Sequence, residues 1–154
     1  MPQALQWIGV HQRVVWLACL CLGGCAPLIG PYSPTAYQNA TSLKAETLAL
    51  MEKGTEPYAE YERQIEALMV DIDKAYEFVN GIPSNSLSAK QWLLLKNQDG
   101  DLLGKFFLRW KERKTLSESF IHEFQGIVSD AFDEIICLEA NKKQATTCGN
   151  TGGK

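Results

Sequence analysis

The sequence predicts an all-α protein, a small antiparallel bundle of three long helices plus a short helical pair. Apolar residues recur at intervals of three and four positions through most of residues 35–140, which is the spacing of an amphipathic helix. No segment alternates between apolar and polar residues as a half-buried strand does. Of the 154 residues, 45% are hydrophobic and 21% charged, which is typical of one globular domain.

The first two helices show this spacing most clearly. The first extends from about residue 35 to residue 53 and ends at Gly54. Thr55 is then expected to cap the second helix, with Pro57 in its first turn, and Gly81 ends that helix. The positions expected to face the core are Ala36, Ala40, Leu43, Thr47 and Leu50 in the first helix, and Tyr58, Tyr61, Ile65, Leu68, Ile72, Ala75, Tyr76 and Val79 in the second.

The short helical pair comes next. Ser88 is expected to cap a helix over residues 89–96, and the second member covers residues 102–113. Residues 97–101 between them are polar but lack the glutamate spacing of a calcium loop, so a solvated turn is expected. Gly104 weakens the second member and predicts a close approach by another helix.

The last predicted helix begins at a Thr-x-x-Glu capping box formed by Thr115 and Glu118. From residue 141 the composition becomes polar and rich in Gly and Thr, so residues 141–154 are expected to form a disordered tail. The apolar stripe of this helix comprises Phe120, Phe124, Ile127, Val128, Ala131, Ile135 and Leu138.

The N-terminal region has the features of an export signal. Arg13 is followed by nine apolar residues, Val14–Leu22, and then by two glycines. A positive segment, a short apolar run and small residues form the pattern of a secretory signal peptide. The run is too short to span a bilayer as a helix.

The residues Leu22-Gly23-Gly24-Cys25 resemble the lipobox of bacterial lipoproteins. The resemblance implies that the Cys25 thiol carries a diacylglycerol thioether and that cleavage occurs just before it. An ordinary signal peptide and an apolar helix with an incidental cysteine are the alternatives. The implied organisation is a signal peptide over 1–24, lipidated Cys25 and a tether over 25–34, the helical bundle over 35–140 and the tail over 141–154.

The implied location is the bacterial cell envelope, with the lipid on Cys25 inserted in a bilayer. In the sorting rule of enteric bacteria, Asp after the lipidated cysteine retains a lipoprotein in the inner membrane. Ala26 occupies that position here, so the resemblance favours the outer membrane over the inner membrane.

Further segments resemble short helical lipoproteins encoded in many bacterial genomes. They are residues 75–83, the Gln91-Trp92 pair, Leu103-Gly104 and residues 109–111. This resemblance supports the helical fold and brings no assigned activity.

Two cysteines remain beyond Cys25. Cys137 lies near the end of the last helix and Cys148 lies in the tail. In an oxidising periplasm they are a candidate disulfide, with two free thiols or intermolecular pairing as the alternatives.

The sequence contains no recognisable catalytic set. His122 lacks the partner histidine of a zinc-protease motif and is expected on a helix surface, so we predict neither catalytic residues nor a metal site. The net charge of −3 gives no basic footprint for nucleic acid. No cofactor is expected apart from the covalent lipid on Cys25.

Four aromatic residues lie close in sequence to the polar segment over residues 97–101. They are Trp92, Phe106, Phe107 and Trp110. They either close one end of the core or form an exposed rim for a protein partner or glycan, since Trp and Tyr dominate binding hot spots. The basic run over residues 111–114 suits a helix C-terminus, with contact to an anionic lipid surface as an alternative.

These observations predict a membrane-anchored envelope lipoprotein that acts as a non-catalytic binding or accessory module for an envelope protein. The alternative is a periplasmic carrier of a small apolar ligand, with a pocket between helices sheltered by Trp92 and Trp110. An enzyme that uses paired carboxylates and His122 is the third hypothesis.

Overall fold

A computed structural model describes residues 30–142 and Cys148, and every regular element among them is helical. The predicted all-α fold class is therefore confirmed. The predicted signal peptide, the lipidated Cys25 with residues 26–29, and all of the tail from residue 143 except Cys148 lie outside the described residues. The helices are α1 (Pro34–Met51), α2 (Tyr58–Asn80), α3 (Ser86–Lys96), α4 (Leu103–Arg113) and α5 (Glu118–Asn141), with a 3-10 turn (Glu52–Thr55) after α1.

Helices α1 and α5 are antiparallel neighbours. The Gln125 amide donates to the Leu48 carbonyl at 3.1 Å, and Lys44 forms an ion pair with Asp133 at 2.6 Å. An earlier residue of α1 therefore contacts a later residue of α5, as in an antiparallel pair.

Helix α3 runs antiparallel to the C-terminal half of α2. The Asn85 amide donates to the Val79 carbonyl at 3.3 Å, and Lys96 pairs with Asp73 at 2.7 Å. Helix α3 ends there, about halfway back along α2.

Helix α4 continues in the same direction along the N-terminal half of α2. Lys111 pairs with Glu62 at 3.0 Å, and the Tyr58 amide donates to the Lys114 carbonyl at 2.9 Å. The chain is thus an up-down-up-down four-helix bundle in which α3 and α4, one after the other, occupy the third position.

The interruption between α3 and α4 depends on a close backbone contact at Gly104. A Cβ atom added at Gly104 would lie 2.6 Å from the carbonyl carbon and oxygen of Asn97 and even closer to the Lys96 carbonyl oxygen. The Asn97 side chain also accepts from the Asp99 amide at 3.0 Å, which forms a tight turn. The close approach expected at Gly104 is therefore present, between α4 and the end of α3.

The core lies between α1, α2, α5 and the α3–α4 pair. The expected stripe of α1 is buried throughout, and in α2 only Tyr61 and Tyr76 are partly exposed. Trp92 from α3 and Phe132 from α5 meet edge to face at 5.9 Å between ring centroids. Aromatic contacts of this geometry add to the stabilisation that burial provides.

The stripe expected for α5 was partly wrong. Ile127 is 40% exposed, whereas Ile121 and Phe132, which the sequence did not select, are buried. The apolar residues of α5 cover a wide arc, and its neighbours decide which of them lie at the centre.

Three expected helix starts also differ from the structure. Helix α2 is preceded by Pro57 and not by Thr55. Helix α3 is preceded by Asn85 and not by Ser88. Helix α5 is capped by Ser117 and not by Thr115, since the Ser117 hydroxyl accepts from the Phe120 amide at 3.4 Å. At α5 the reason is that the Leu116 amide donates to Gly54 at 2.8 Å, which holds the link to α4 outside the helix.

Among the described helices, none is both long enough and apolar enough to cross a bilayer.

We predict that Gly104→Ala lowers the free energy of unfolding by about 1–3 kcal/mol, because the new methyl group collides with backbone that cannot rotate away. Urea denaturation followed by circular dichroism measures this. Gly126→Ala is the matched control: nothing lies within 4 Å of its Cβ position, so it should raise stability by about 0.5–1 kcal/mol. Equal effects of the two changes would contradict the close contact.

Candidate functional site

The four aromatic residues singled out in the sequence are core residues. Trp92, Phe106 and Trp110 are fully buried, and Phe107 is 5% exposed. The prediction of an exposed rim made of these side chains is therefore corrected, and the alternative that they close the core matches their burial. They are buried because α3 and α4 turn these positions towards α2 and α5.

Trp110 lies at the end of the bundle where the link between α1 and α2 meets the last turn of α4. Its indole N–H donates to the Glu56 carbonyl at 3.0 Å. The rings of Tyr58 and Tyr61 lie 5.8 and 5.7 Å from it. The Tyr61 hydroxyl donates a short hydrogen bond to the Glu56 carboxylate, which raises the pKa of Tyr61 to about 12 and holds the pKa of Glu56 below its ordinary value.

A groove of about 910 Å³ opens beside the break in the third helix position, and we call it the α2–α4 groove. One wall is α2, and the other is formed by the last turn of α3, the polar turn and α4. The lining residues are Tyr58, Ile65, Glu66, Met69, Asp73, Leu93, Lys96, Asn97, Gln98, Gly104, Phe107, Leu108 and Lys111.

The apolar part of this lining is partly open to solvent. Ile65 and Phe107 are buried beneath it, Met69 and Leu108 are partly exposed, and Leu93 is about half exposed. Their spacing on α2 and α4 places them on facing sides of the groove. A ligand that covered them would gain from removing apolar surface from water.

The rim of the groove carries both signs of charge. Lys96 pairs with Asp73 at one end, and Lys111 pairs with Glu62 at the other. Glu66 lies between these two pairs on α2, is exposed, and forms neither a hydrogen bond nor an ion pair within the described residues. Glu66 is therefore available to a positive group on a ligand.

The Lys111 end of the groove also includes Tyr58. The Lys111 ammonium lies 5.5 Å from the centre of the Tyr58 ring, a cation–π contact. The hydrogen bond to Glu62 raises the pKa of Lys111, and burial raises the pKa of Tyr58. Both side chains thus keep their protons at neutral pH, so this end presents a cation and a neutral hydroxyl.

The groove differs from the pocket expected for an apolar-ligand carrier. Neither Trp92 nor Trp110 lines it, and Glu66, Asp73, Lys96 and Lys111 do. Its chemistry suits a ligand with both apolar and charged groups.

The other predicted site residues lie elsewhere. His122 is exposed on α5, outside the groove. Within the described residues, no cluster of three or more His, Cys, Asp or Glu side chains could hold a metal ion. Cys25 lies outside the described residues.

Cys137 and Cys148 form a disulfide, with their Cα atoms 5.8 Å apart. The Asn141 amide lies 2.9 and 3.0 Å from the two sulfur atoms. One turn away, Glu139 and Lys142 form a buried ion pair. The disulfide therefore holds Cys148 against the last turns of α5.

Comparisons of the chain with protein-family models, with curated proteins and with solved structures find no match.

Sequence reasoning missed the groove because its lining comes from three helices and a turn. The charged residues that α2 contributes to the groove have the spacing of an ordinary solvent-exposed helix side. The available signal was the polar segment over residues 97–101 before Gly104, which could have indicated a gap beside α2.

We predict that Tyr61 titrates with a midpoint near pH 12, because ionisation would place its phenolate against the Glu56 carboxylate. The folded-state pKa is raised, so the stability from this hydrogen bond is present below about pH 10 and lost as the pH rises towards 12. The measurement is the difference in phenolate absorbance between the native protein and Tyr61→Phe, with circular dichroism recorded at each pH to confirm folding. A difference curve with its midpoint near pH 10 would contradict the hydrogen bond.

Proposed function

We propose that this protein is a lipid-anchored protein of the bacterial envelope, in the outer membrane, and that its bundle binds an envelope protein without catalysis through the α2–α4 groove. The proposed location rests on the lipobox Leu22-Gly23-Gly24-Cys25. Two or three acyl chains on Cys25 anchor a protein stably, whereas a single chain anchors it marginally.

The disulfide between Cys137 and Cys148 supports an exported chain. Disulfides persist in oxidising compartments such as the periplasm and are rare in the bacterial cytosol. The two cysteines are brought together by the fold, and the bond closes a loop at the end of the last helix.

The groove supports a protein partner of amphipathic character. Its apolar lining suits apolar side chains, and its rim offers Glu66 to a cation and the two ion pairs to groups of either sign. An amphipathic segment of an envelope protein, with apolar side chains on one side and a basic residue near Glu66, satisfies both features.

We predict that Cys25→Ser abolishes lipid attachment, because the thioether needs the thiol of this residue. Intact-mass spectrometry of membrane-fraction protein should give a chain that begins at Cys25 with added acyl mass, and the variant should lack that mass. Cys21→Ser, within the predicted signal peptide, is the control and should leave lipidation intact. An unprocessed mass that begins at Met1 would overturn the proposed location.

We predict that a photo-crosslinking residue placed at Leu93 captures a partner in cells, whereas the same residue at Val70 on the outer side of α2 does not. Both positions are about half exposed, so folding is preserved at each. The crosslinked peptide, identified by mass spectrometry, should be amphipathic with a basic residue.

Charge reversal makes this test specific to the groove. Glu66→Lys should lower the capture yield several-fold, and Glu77→Lys, an exposed position of the same helix outside the groove, should not. Equal yields from Leu93 and Val70, or yields that do not depend on Glu66, would reject the groove as the binding site.

A further inference from the structure

Helix α3 exposes more large apolar side chains than any other described helix. Leu87, Leu93 and Leu94 are 46–48% exposed. Leu87 and Leu94 are seven residues apart and so share one side of the helix, opposite the buried Trp92. Burial of Trp92 in the core therefore turns this pair of leucines outward.

The charges of the chain separate by region. Residues 86–114 contain seven basic and three acidic residues, a net charge of +4. Residues 30–85 and residues 115–142 each have a net charge of −5. The α3–α4 segment is thus the basic part of an otherwise acidic chain. Two of its cations, Lys96 and Lys111, face α2 and pair with Asp73 and Glu62 there.

Two basic residues of α4 lie on the outward side of the same helix pair. Lys105 and Arg109 are four residues apart, on the side of α4 away from the buried Leu103 and Phe107, and the acidic Glu112 lies beside them. Within the described residues neither of these two cations forms an ion pair, and Arg109 instead lies 4.9 Å from the Phe120 ring centre. Together with Leu87, Lys90 and Leu94 they form what we call the α3–α4 face.

The chain from the lipobox enters the bundle at one end of this face. A Cβ atom added at Gly30 would lie 3.0 Å from the Pro83 carbonyl oxygen and 3.1 Å from the Asn85 Cβ, and Asn85 directly precedes α3. Four residues lie between Cys25 and Gly30, and these five Cα–Cα steps span at most about 18 Å when fully extended. A lipid on Cys25 therefore keeps the start of α3 close to the bilayer.

We propose that the α3–α4 face lies on the anionic lipid surface of the membrane that holds the Cys25 lipid. This rests on the proposed anchor and adds an orientation to it. Lys90, Lys105 and Arg109 meet phosphate headgroups, and Leu87 and Leu94 enter the boundary between headgroups and acyl chains. An acidic protein would account for the cations but would leave the two leucines without a role.

The test uses the full lipidated protein with a nitroxide label at Leu94→Cys. Lipidation occupies Cys25 and the disulfide occupies Cys137 and Cys148, so the introduced cysteine is the only reactive thiol of the proposed mature chain. Collisions with a neutral nickel chelate in the water phase report exposure of the label. Val70→Cys, with similar exposure on α2, is the matched control.

In vesicles of phosphatidylcholine mixed with phosphatidylglycerol, the Leu94 label should collide with the chelate several-fold less often than the Val70 label. The difference should shrink in pure phosphatidylcholine. It should also shrink when Lys90 and Lys105 are both changed to Glu, while circular dichroism shows that the fold is kept.

Failure of this proposal and failure of the anchor give different results. If the protein floats with pure phosphatidylcholine vesicles but the Leu94 label stays as exposed as the Val70 label in both lipids, the anchor holds and the orientation is wrong. If the protein does not float with neutral vesicles, the anchor fails and the orientation fails with it. Protection of Leu94 only in native membranes, and never in vesicles, would indicate a protein on this face and would also overturn the lipid contact.

Discussion

The contact between Gly104 and the end of α3 is the constraint on which one whole side of the bundle depends. Because position 104 has no side chain, the first turn of α4 rests on the carbonyl groups of Lys96 and Asn97. Two short helices therefore replace the single long helix of an ordinary four-helix bundle. The α2–α4 groove opens beside this break, and the outward sides of the same two helices form the α3–α4 face. Both proposed surfaces thus derive from one local packing arrangement.

Trp110 secures the other end of α4. Its hydrogen bond to the Glu56 carbonyl joins α4 to the turn between α1 and α2, and the rings of Tyr58 and Tyr61 enclose the indole. With Gly104 at its start and Trp110 at its end, α4 has little freedom to slide along α2. A groove with a fixed width and fixed rim charges, such as Glu66, binds more tightly than a mobile one, because less conformational entropy is lost on binding.

Sequence periodicity predicted the buried side of α2 almost completely, because the residues that recur at intervals of three and four share one side of the helix, whereas Val70 and Phe78 fall outside that spacing and are exposed. It failed in part for α5, where apolar residues cover a wide arc: Ile121 is buried because it packs on Gly54, and Phe132 because it meets Trp92, while Ile127 falls outside both contacts. Helix starts were missed where backbone groups of the link bond to another turn. The groove could not be predicted, because the residues that form it are distant in sequence and no periodicity connects them.

Hydrogen exchange followed by mass spectrometry, on protein purified from membranes, tests the interrupted third helix most directly. The structure predicts fast exchange of the amides over residues 98–102, between slowly exchanging segments over residues 90–96 and 106–113. Uniform slow exchange from residue 90 to residue 113 would mean one continuous helix. That result would remove the break, and with it the structural basis of both the α2–α4 groove and the α3–α4 face.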